Sequence, residues 1–120
     1  MTMEENLKQL VLIDISARLP YGVILRVGDH KVKITTNNTW VYFGASDEAK
    51  EYIKPYLRPW SALTEKEREE YENLKSDVQD HFKVWKCKRL VEWAYKHHLD
   101  INDMIPMGLA IEAPKDMYNF

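Results

Sequence analysis

Four residues of this 120-residue chain combine a charge or an aromatic ring with a position beside a proline-containing turn: Arg18, Tyr21, Arg58 and Trp60. The turns fall at residues 20–22 and 55–59, and two such reversals can meet across a sheet. Two guanidinium groups and two rings would then form a pocket for a planar anion such as a nucleotide, through bidentate hydrogen bonds and stacking. The alternative, which the sequence favours, is that the rings close the ends of a small barrel while both arginines extend to solvent.

A second set of residues combines positive charge with an aromatic ring in one predicted helix: Lys83, Trp85, Lys86, Lys88 and Arg89. Positive charge beside a stacking platform is typical of sites that bind single-stranded nucleic acids. The net charge of −2 and an acidic neighbouring segment argue against wholesale binding of a polyanion. No known nucleic-acid recognition motif is present, so nucleic-acid binding is the alternative function.

Covalent catalysis has one candidate nucleophile, Cys87. Its basic neighbours would favour the thiolate, but helical spacing places it on the same apolar face as Leu90 and Ala94, which indicates a buried filler. No G-x-S-x-G motif occurs, and the four glycines are too scattered to build a phosphate-binding loop. The sequence therefore predicts a protein that is not an enzyme.

The histidines do not have the spacing that a metal site requires. His97 and His98 are adjacent, so on a helix their side chains point roughly 100° apart and do not face one ion easily. His81 and Cys87 are six residues apart, and neither C-x-x-C nor H-E-x-x-H occurs. We therefore expect no metal and no cofactor.

Length and composition predict a single domain over residues 1–120. Aromatic residues make up 12% of the chain, and Tyr and Trp are favoured both in cores and at interfaces, so a partner protein or a homo-oligomer is expected. The single cysteine forms no internal disulfide, which favours a reducing compartment. With no signal-like N-terminus and no run of 18 apolar residues, a cytoplasmic protein without membrane contact is predicted.

The N-terminal half is predicted to contain a helix and a sheet. Thr2 and Glu5 have the spacing of a capping box, which begins a helix over residues 1–18. Residues 22–59 are predicted to form a β-meander, with strands at 22–27, 30–35 and 39–43 and an edge strand at 55–59. The two-residue turn at Gly28 and Asp29 suits a hairpin between the first two strands.

The C-terminal half is predicted to be a helical hairpin followed by a tail. Residues 64–98 begin with a capping box at Thr64 and Glu67, and a second box at Ser76 places the break between two helices of opposite charge. Residues 99–120 are predicted to form a short helical turn and an irregular apolar tail. The predicted fold is α+β, with an N-terminal helix and a small curled antiparallel sheet, for which an SH3-like form is one option, packed against the helical hairpin.

Three sequence motifs carry a resemblance: ARLPYGV at residues 17–23, KPYLRPWSALTEKE at 54–67 and GLAIEAP at 108–114. They resemble motifs of a family of small uncharacterised proteins from gut Bacteroidales and their phages and prophages. The resemblance implies a short accessory protein of a mobile element that works inside a bacterial cell, and it implies no activity.

Together these observations predict a non-catalytic binding protein in a phage or prophage context. Its partner would be a host protein or a small anionic, nucleotide-like ligand that it sequesters, as counter-defence proteins do. The alternative is an accessory protein that binds nucleic acid through the basic, aromatic helix.

Overall fold

The chain forms a long N-terminal helix, a four-stranded sheet and a helical hairpin. The computed structural model describes residues 2–118, apart from the side chain of residue 47. The helices are α1 (Met3–Arg18), α2 (Trp40–Phe43), α3 (Asp47–Lys50), α4 (Glu65–Asp80) and α5 (Val84–Lys96). The strands are β1 (Val23–Val27), β2 (His30–Ile34), β3 (Ile53–Leu57) and β4 (Ile111–Glu112). The predicted α+β class is confirmed.

The helices α1 and α4 both begin with the predicted capping box. The Thr2 hydroxyl accepts a hydrogen bond from the Glu5 amide, and the Glu5 carboxylate accepts one from the Thr2 amide. Thr64 and Glu67 repeat this pattern at the start of α4. Each box satisfies amides that would lack partners in the first turn, so it fixes where the helix begins.

The sheet is open and mixed, with strand order β2-β1-β3-β4. Strand β1 pairs antiparallel with β2 and with β3, whereas the short β4 runs parallel to β3. Gly28, at a φ of 62°, turns the chain between β1 and β2. Because β2 and β4 are both edge strands, the sheet does not close into an SH3-like barrel.

The prediction of a strand at residues 39–43 is wrong, because Trp40–Phe43 forms the helix α2. The residues of this β-prone run pair with no described strand, and only one of their side chains, that of Tyr42, is deeply buried. The helical turn places Tyr42 in the core at 4% exposure and leaves Trp40 70% exposed. Burial of one ring against the sheet therefore outweighs the β-propensity of the run.

The third long strand is β3, in the interior of the sheet, rather than an edge strand at residues 55–59. Residues 53–55 pair with β1, and residues 56–57 pair with β4. Pro55 lies where the strand changes partner, so its missing amide proton costs little pairing. Residues 22–59, predicted as a β-meander, therefore contain two strands, two short helices and a third strand.

Helices α4 and α5 form the predicted hairpin, but they separate at residues 81–83 rather than at Ser76. The longer α4 places Asp77 opposite Lys86 at 2.9 Å, and Glu70 accepts a hydrogen bond from the Trp93 indole at 3.1 Å. A break at Ser76 would have lost the last turn of α4, and with it the partner of Lys86. Contacts across the hairpin therefore decide where the helices separate.

Helix α1 packs on the sheet through two clusters of buried side chains. The first cluster joins Ile15 to side chains of the first three strands and of α2. The second is centred on Leu57 and Met104. The half-buried Val11 contacts both clusters. Helix α1 therefore links the hairpin of β1 and β2 to residues 101–118, which we call the C-terminal segment.

Candidate functional site

Arg18, the first of the predicted anion-binding residues, is fully buried in an ion pair within α1. Its Nε lies 2.7 Å from Asp14 Oδ1, and its Nη2 lies 3.1 Å from Asp14 Oδ2. Nη2 also donates to the carbonyl of Leu99 at 2.6 Å, and the guanidinium carbon lies 4.9 Å from the centre of the Tyr95 ring. The four-residue spacing on one helix face brings Asp14 and Arg18 together, so the guanidinium faces the protein interior instead of solvent.

Arg58, which follows β3, is buried in a second bidentate ion pair. Its two terminal nitrogens each lie 2.7 Å from a carboxylate oxygen of Glu67. The same nitrogens donate to the carbonyls of His97 at 3.0 Å and Ala62 at 3.1 Å. The capping box of α4 holds Glu67 in place, because Glu67 also accepts the Thr64 amide. Arg58 therefore joins the strand β3, the start of α4 and the end of α5.

Three of the four predicted residues meet around the stretch that follows α5, residues 97–100, which we call the 97–100 segment. Arg58, Arg18 and the Trp60 indole donate to the carbonyls of His97, Leu99 and Asp100 respectively, the last at 3.2 Å. Tyr21 is 36% exposed and lies at the end of the turn after α1. The residues thus converge on the protein's own backbone, and both guanidinium groups are bonded to internal carboxylates.

A cleft of about 450 Å³ borders Arg58 on the side of the C-terminal segment. Thr64, Lys115 and Tyr118 are among its other lining residues. Arg58 itself is 9% exposed, so a small anion in this cleft would meet Lys115 more readily than the guanidinium. This cleft is the part of the predicted anion pocket that remains open.

His98, within the 97–100 segment, is held in an uncharged state. It adopts a φ of 57°, and its ring stacks on Tyr118 with 3.9 Å between ring centres. Burial, followed by repulsion from Arg18 and Arg58, lowers the pKa of His98 to about 3. Burial also raises the pKa of Tyr118 to about 12, and its hydroxyl donates to the Tyr56 carbonyl at 2.8 Å. The pair ties the 97–100 segment to the C-terminal segment and the sheet.

Glu67 is the most heavily bonded carboxylate of this region. Burial alone would raise the pKa of Glu67, but hydrogen bonds from Arg58, the Thr64 amide and His97 outweigh it and lower the pKa to about 2. His97 Nδ1 lies 2.7 Å from Glu67 Oε2. The sequence reading placed Glu67 in a capping box on an acidic helix face, and it missed this ion pair because Arg58 lies outside the helix.

The second predicted site, at the start of α5, is on the surface. We call residues 82–89 the hairpin tip. Trp85 is 59% exposed, and Lys88 and Arg89, three and four residues on, share its helix face and are exposed. Lys83 is exposed as well, whereas Lys86 is half-buried against Asp77, with its ammonium 5.5 Å from the centre of the Trp85 ring. The structure therefore brings the predicted basic and aromatic residues together.

Two further side chains of the hairpin tip, Phe82 and Val84, were not among the predicted site residues. Phe82 is 70% exposed and Val84 is 77% exposed. Their apolar character is visible in the sequence, but their exposure depends on the break at residues 81–83. With Trp85 they place three exposed apolar side chains within four residues, in the same stretch as the exposed Lys83, Lys88 and Arg89.

The start of α5 also departs from the usual pattern of a helix N-terminus. Lys83, at the N-cap position, makes no side-chain capping bond, and the first turn contains no acidic residue. Positive side chains lie instead at the end where the helix dipole is positive. This arrangement leaves backbone amides without a side-chain partner and favours an acidic group brought by another molecule.

Among the side chains that the structure describes, no three of His, Cys, Asp or Glu are grouped in a way that would hold a metal ion. Cys87 is a free, half-buried thiol on α5. None of the described helices is both long enough and apolar enough to cross a membrane.

Comparison with known proteins adds no relative. No protein-family model matches the chain, and no curated protein or solved structure matches it. The proposal for function is therefore drawn from the geometry of the sites and from the sequence motifs.

Replacing Arg18 by Met should destabilise the fold by about 3–5 kcal/mol, because Asp14 would be left buried without its countercharge. Urea unfolding followed by circular dichroism measures this change. The double variant Asp14→Leu/Arg18→Met should recover a large part of the loss, since no unpaired charge remains. Lys88→Met, which removes an exposed pair with Glu92 at 3.8 Å, should cost less than about 0.5 kcal/mol. If Arg18→Met and Lys88→Met lowered the free energy of unfolding equally, the assignment of Asp14 and Arg18 as a buried ion pair would be wrong.

His98 should make stability fall as the pH falls from about 6.5 towards 3. In this window the unfolded chain binds a proton at His98 that the folded chain does not, so acid favours unfolding. The variant His98→Asn, in which Asn tolerates the positive φ, should show a flatter dependence of unfolding free energy on pH between about 6.5 and 4.5. The exposed His30→Asn serves as control and should keep the wild-type slope. An unchanged slope in His98→Asn would refute the assignment.

Glu67 should also make stability depend on pH, but in a more acidic range than His98. This range lies between the ordinary pKa of Glu67, 4.5, and its pKa in the folded protein, about 2. Its contribution to stability is fully present above pH 4.5 and is lost as the pH falls towards 2, because protonation removes the charge that Arg58 requires. Glu67→Gln should therefore be much less stable than wild type at neutral pH, and the difference should shrink through this window. Chemical unfolding at stepped pH, with Glu69→Gln as an exposed control, measures it. A constant difference down to pH 2 would show that charge is not what holds the pair.

Proposed function

We propose that this chain is a non-catalytic binding protein whose hairpin tip binds an acidic, partly apolar segment of a partner protein. The observation that carries the proposal is the exposure of Phe82, Val84 and Trp85 at 70%, 77% and 59% next to exposed cations. Contiguous apolar side chains rimmed by charge mark interaction surfaces in soluble proteins.

The apolar part of the hairpin tip supplies the affinity. Burying one large apolar side chain contributes about 1.5–3 kcal/mol, so three such side chains are enough to anchor a partner segment. Trp and Arg are also the residue types that most often dominate protein interfaces. Trp85 and Arg89 share one helix face, which lets a single partner segment contact both.

The charged part of the hairpin tip supports an acidic partner. Lys83, Lys88 and Arg89 are exposed, and the first turn of α5 offers amides without a side-chain cap. A carboxylate that approaches this end meets the cations and the positive end of the helix dipole together. An acidic segment would therefore be steered to the tip and then held by the apolar contacts.

Binding rather than catalysis is supported by the roles of the buried carboxylates. Asp14 pairs with Arg18, Glu67 pairs with Arg58, and the Asp100 carboxylate accepts the amides of Met104 and Ile105. Glu67 joins the start of α4 to the residue after β3, whereas in these bonds Asp14 and Asp100 contact groups four or five residues further along the chain. The predicted anion pocket contributes less to the proposal, because its two guanidinium groups are bonded to these carboxylates.

The biological setting of the proposal comes from the sequence motifs at residues 17–23, 54–67 and 108–114. Their resemblance to proteins of gut Bacteroidales and their phages supports a mobile-element protein acting inside the bacterial host. A host protein with an acidic segment is the partner that this setting and the charge of the hairpin tip favour. Counter-defence is the role we propose for such binding.

Single-stranded nucleic acid is the second candidate ligand of the hairpin tip. The exposed Trp85 ring beside the Lys86 ammonium, with Lys88 and Arg89 on the same surface, is the arrangement that favours it. Val84 favours a protein instead, because phosphate and sugar groups do not need an aliphatic contact. The net charge of −2 also weakens attraction to a polyanion.

Selection of random peptides on the purified protein tests the proposal. We expect the enriched peptides to combine acidic with apolar residues. Trp85→Ala and Arg89→Glu should each weaken their binding by about tenfold or more, measured by calorimetry or fluorescence anisotropy. Trp40→Ala is the matched control, since Trp40 is 70% exposed on α2, away from the hairpin tip, and should leave the affinity unchanged.

The same assay separates the alternatives. Enrichment of peptides that bind Trp85→Ala as well as wild type would contradict the proposal. Tight binding of oligo-thymidine with a steep salt dependence, lost in Trp85→Ala, would replace the protein partner with nucleic acid. Binding of ATP that is abolished by Lys115→Glu, and not by Trp85→Ala, would point to the cleft at Arg58.

A further inference from the structure

The strands carry all of their Lys and Arg side chains on one face of the sheet. Arg26 on β1 pairs with Lys31 on β2 and with Lys54 on β3, so these three side chains form one row across the sheet. Lys33 lies two residues beyond Lys31 on β2 and therefore on the same face. We call these four residues the basic sheet face: Arg26, Lys31, Lys33 and Lys54.

The basic sheet face lies on the side of the sheet that is turned away from α1. Strand side chains alternate between the two sides, and those that pack with Ile15 of α1 are the neighbours of the cations, such as Leu25 and Ile53. The one acidic residue of the strands, Glu112, pairs with Leu57, which belongs to the α1 side. No carboxylate of these four strands therefore shares the side of the cations.

The four cations lack the partners that usually neutralise neighbouring charges. None of them forms an ion pair with a described side chain. The Nε of Arg26 is buried and has no hydrogen-bond partner among the described residues. Like charges directly opposite each other destabilise a strand pair, and Arg26 has a lysine opposite it on both sides. An anion bound across this row would offset the repulsion.

Protection of an edge strand accounts for only part of this arrangement. Lysines on edge strands discourage pairing with other chains, and β2, which contains Lys31 and Lys33, is an edge strand. Arg26 and Lys54 lie on β1 and β3 in the interior of the sheet, where no edge needs protection. Their place in the same row favours a bound anion.

The character of the face favours nucleic acid over a protein segment. Its apolar side chains are buried or half-buried, namely Ile24, Tyr56 and Ile111, whereas Lys31 and Lys33 are exposed. The core of a protein interface is apolar and poor in charge, whereas surfaces that bind nucleic acid are polar and strongly positive. The hairpin tip, with its exposed apolar side chains, has the first character, and the basic sheet face has the second.

The spacing of the cations suits several phosphates of one strand. Neighbouring β-strands lie about 4.8 Å apart and residues about 3.3 Å apart along a strand, so the four positions fall within roughly 10 Å by 7 Å. The guanidinium of Arg26 can hold a phosphate through two N–H groups, and the lysines act as point charges. Contacts of this kind position a nucleic-acid backbone without reading its bases.

We propose that the basic sheet face binds the phosphate backbone of a nucleic-acid strand, without preference for sequence. The net charge of −2 does not oppose this binding, because exposed charges are screened beyond about 8 Å at physiological salt and many of the acidic residues lie on α4. The face shares no residue with the hairpin tip, so the proposal does not rest on the proposed function.

Fluorescence anisotropy with a labelled single-stranded oligo-thymidine at low salt tests the proposal. We expect binding whose logarithmic salt dependence has a slope of about −2 to −3, since each of three or four neutralised phosphates contributes about −0.7. Poly-glutamate at the same concentration of charge should not displace the oligonucleotide. Displacement by poly-glutamate, or absence of binding, would overturn the proposal.

Variants that remove charge assign the site. Lys31→Gln/Lys54→Gln should weaken oligo-thymidine binding by about tenfold or more and reduce the steepness of the salt slope by about 1.4, because two phosphate contacts are lost. Lys54→Gln alone should weaken binding by about threefold to tenfold. Its urea midpoint should be no lower than that of wild type, since repulsion with Arg26 is relieved.

Lys8→Gln/Lys66→Gln is the matched control, because it removes two positive charges at exposed positions on α1 and α4. This control should keep the wild-type salt slope. If it lost as much affinity as Lys31→Gln/Lys54→Gln, net charge alone would explain the binding and the proposal would be wrong. Binding that is lost in Trp85→Ala and kept in Lys31→Gln/Lys54→Gln would assign the oligonucleotide to the hairpin tip and would also overturn the proposal.

Amide chemical shifts locate the bound strand without any variant. Oligo-thymidine should shift the amides of residues 24–26, 31–33 and 54, which form the basic sheet face and its neighbours. Shifts confined to residues 82–89 would show that the sheet does not bind the strand.

Discussion

Two buried arginines hold the 97–100 segment, and the arrangement of the other elements depends on them. Arg18 connects α1 to this segment, and Arg58 connects the end of β3 to α4 and α5. The backbone of Arg58 adds bonds to His98 and Asp100, which extend the sheet by one residue pair. A guanidinium removed from water requires well-placed acceptors around it, so each of the two arginines fixes several segments at once.

The charged groups that stabilise the fold are therefore different from the side chains that are proposed to bind a partner. The carboxylates and guanidiniums with bidentate geometry are buried. The Arg58–Glu67 pair joins α4 to the end of β3, and Arg18 joins α1 to the 97–100 segment. The side chains that remain for a partner are of another kind, namely apolar groups and cations at the hairpin tip.

Local signals in the sequence were sufficient wherever a structure depends on neighbouring residues. The capping boxes at Thr2 and Thr64 and the turn at Gly28 were predicted correctly, because each is a contact within a few positions. Residues 39–43 were mispredicted because their conformation is decided by the burial of Tyr42 against distant strands. The ion pair between Arg58 and Glu67 was not predicted for a related reason. The capping box already accounted for Glu67, and Arg58 lies outside that helix. The basic residues of the hairpin tip could be selected by composition, whereas the exposure of Phe82 required the observed helix break.

Native-state hydrogen exchange at the 97–100 segment tests the central claim most directly. The amides of Arg58 and Asp100 bond across this segment, and the Met104 amide bonds to the Asp100 carboxylate. If the two arginines hold the elements together, these three amides should exchange only through global unfolding, with a free energy equal to that from urea denaturation. Exchange of these amides at a clearly lower free energy, while the amides of β1 remain protected, would show that the segment opens by itself and would contradict the account.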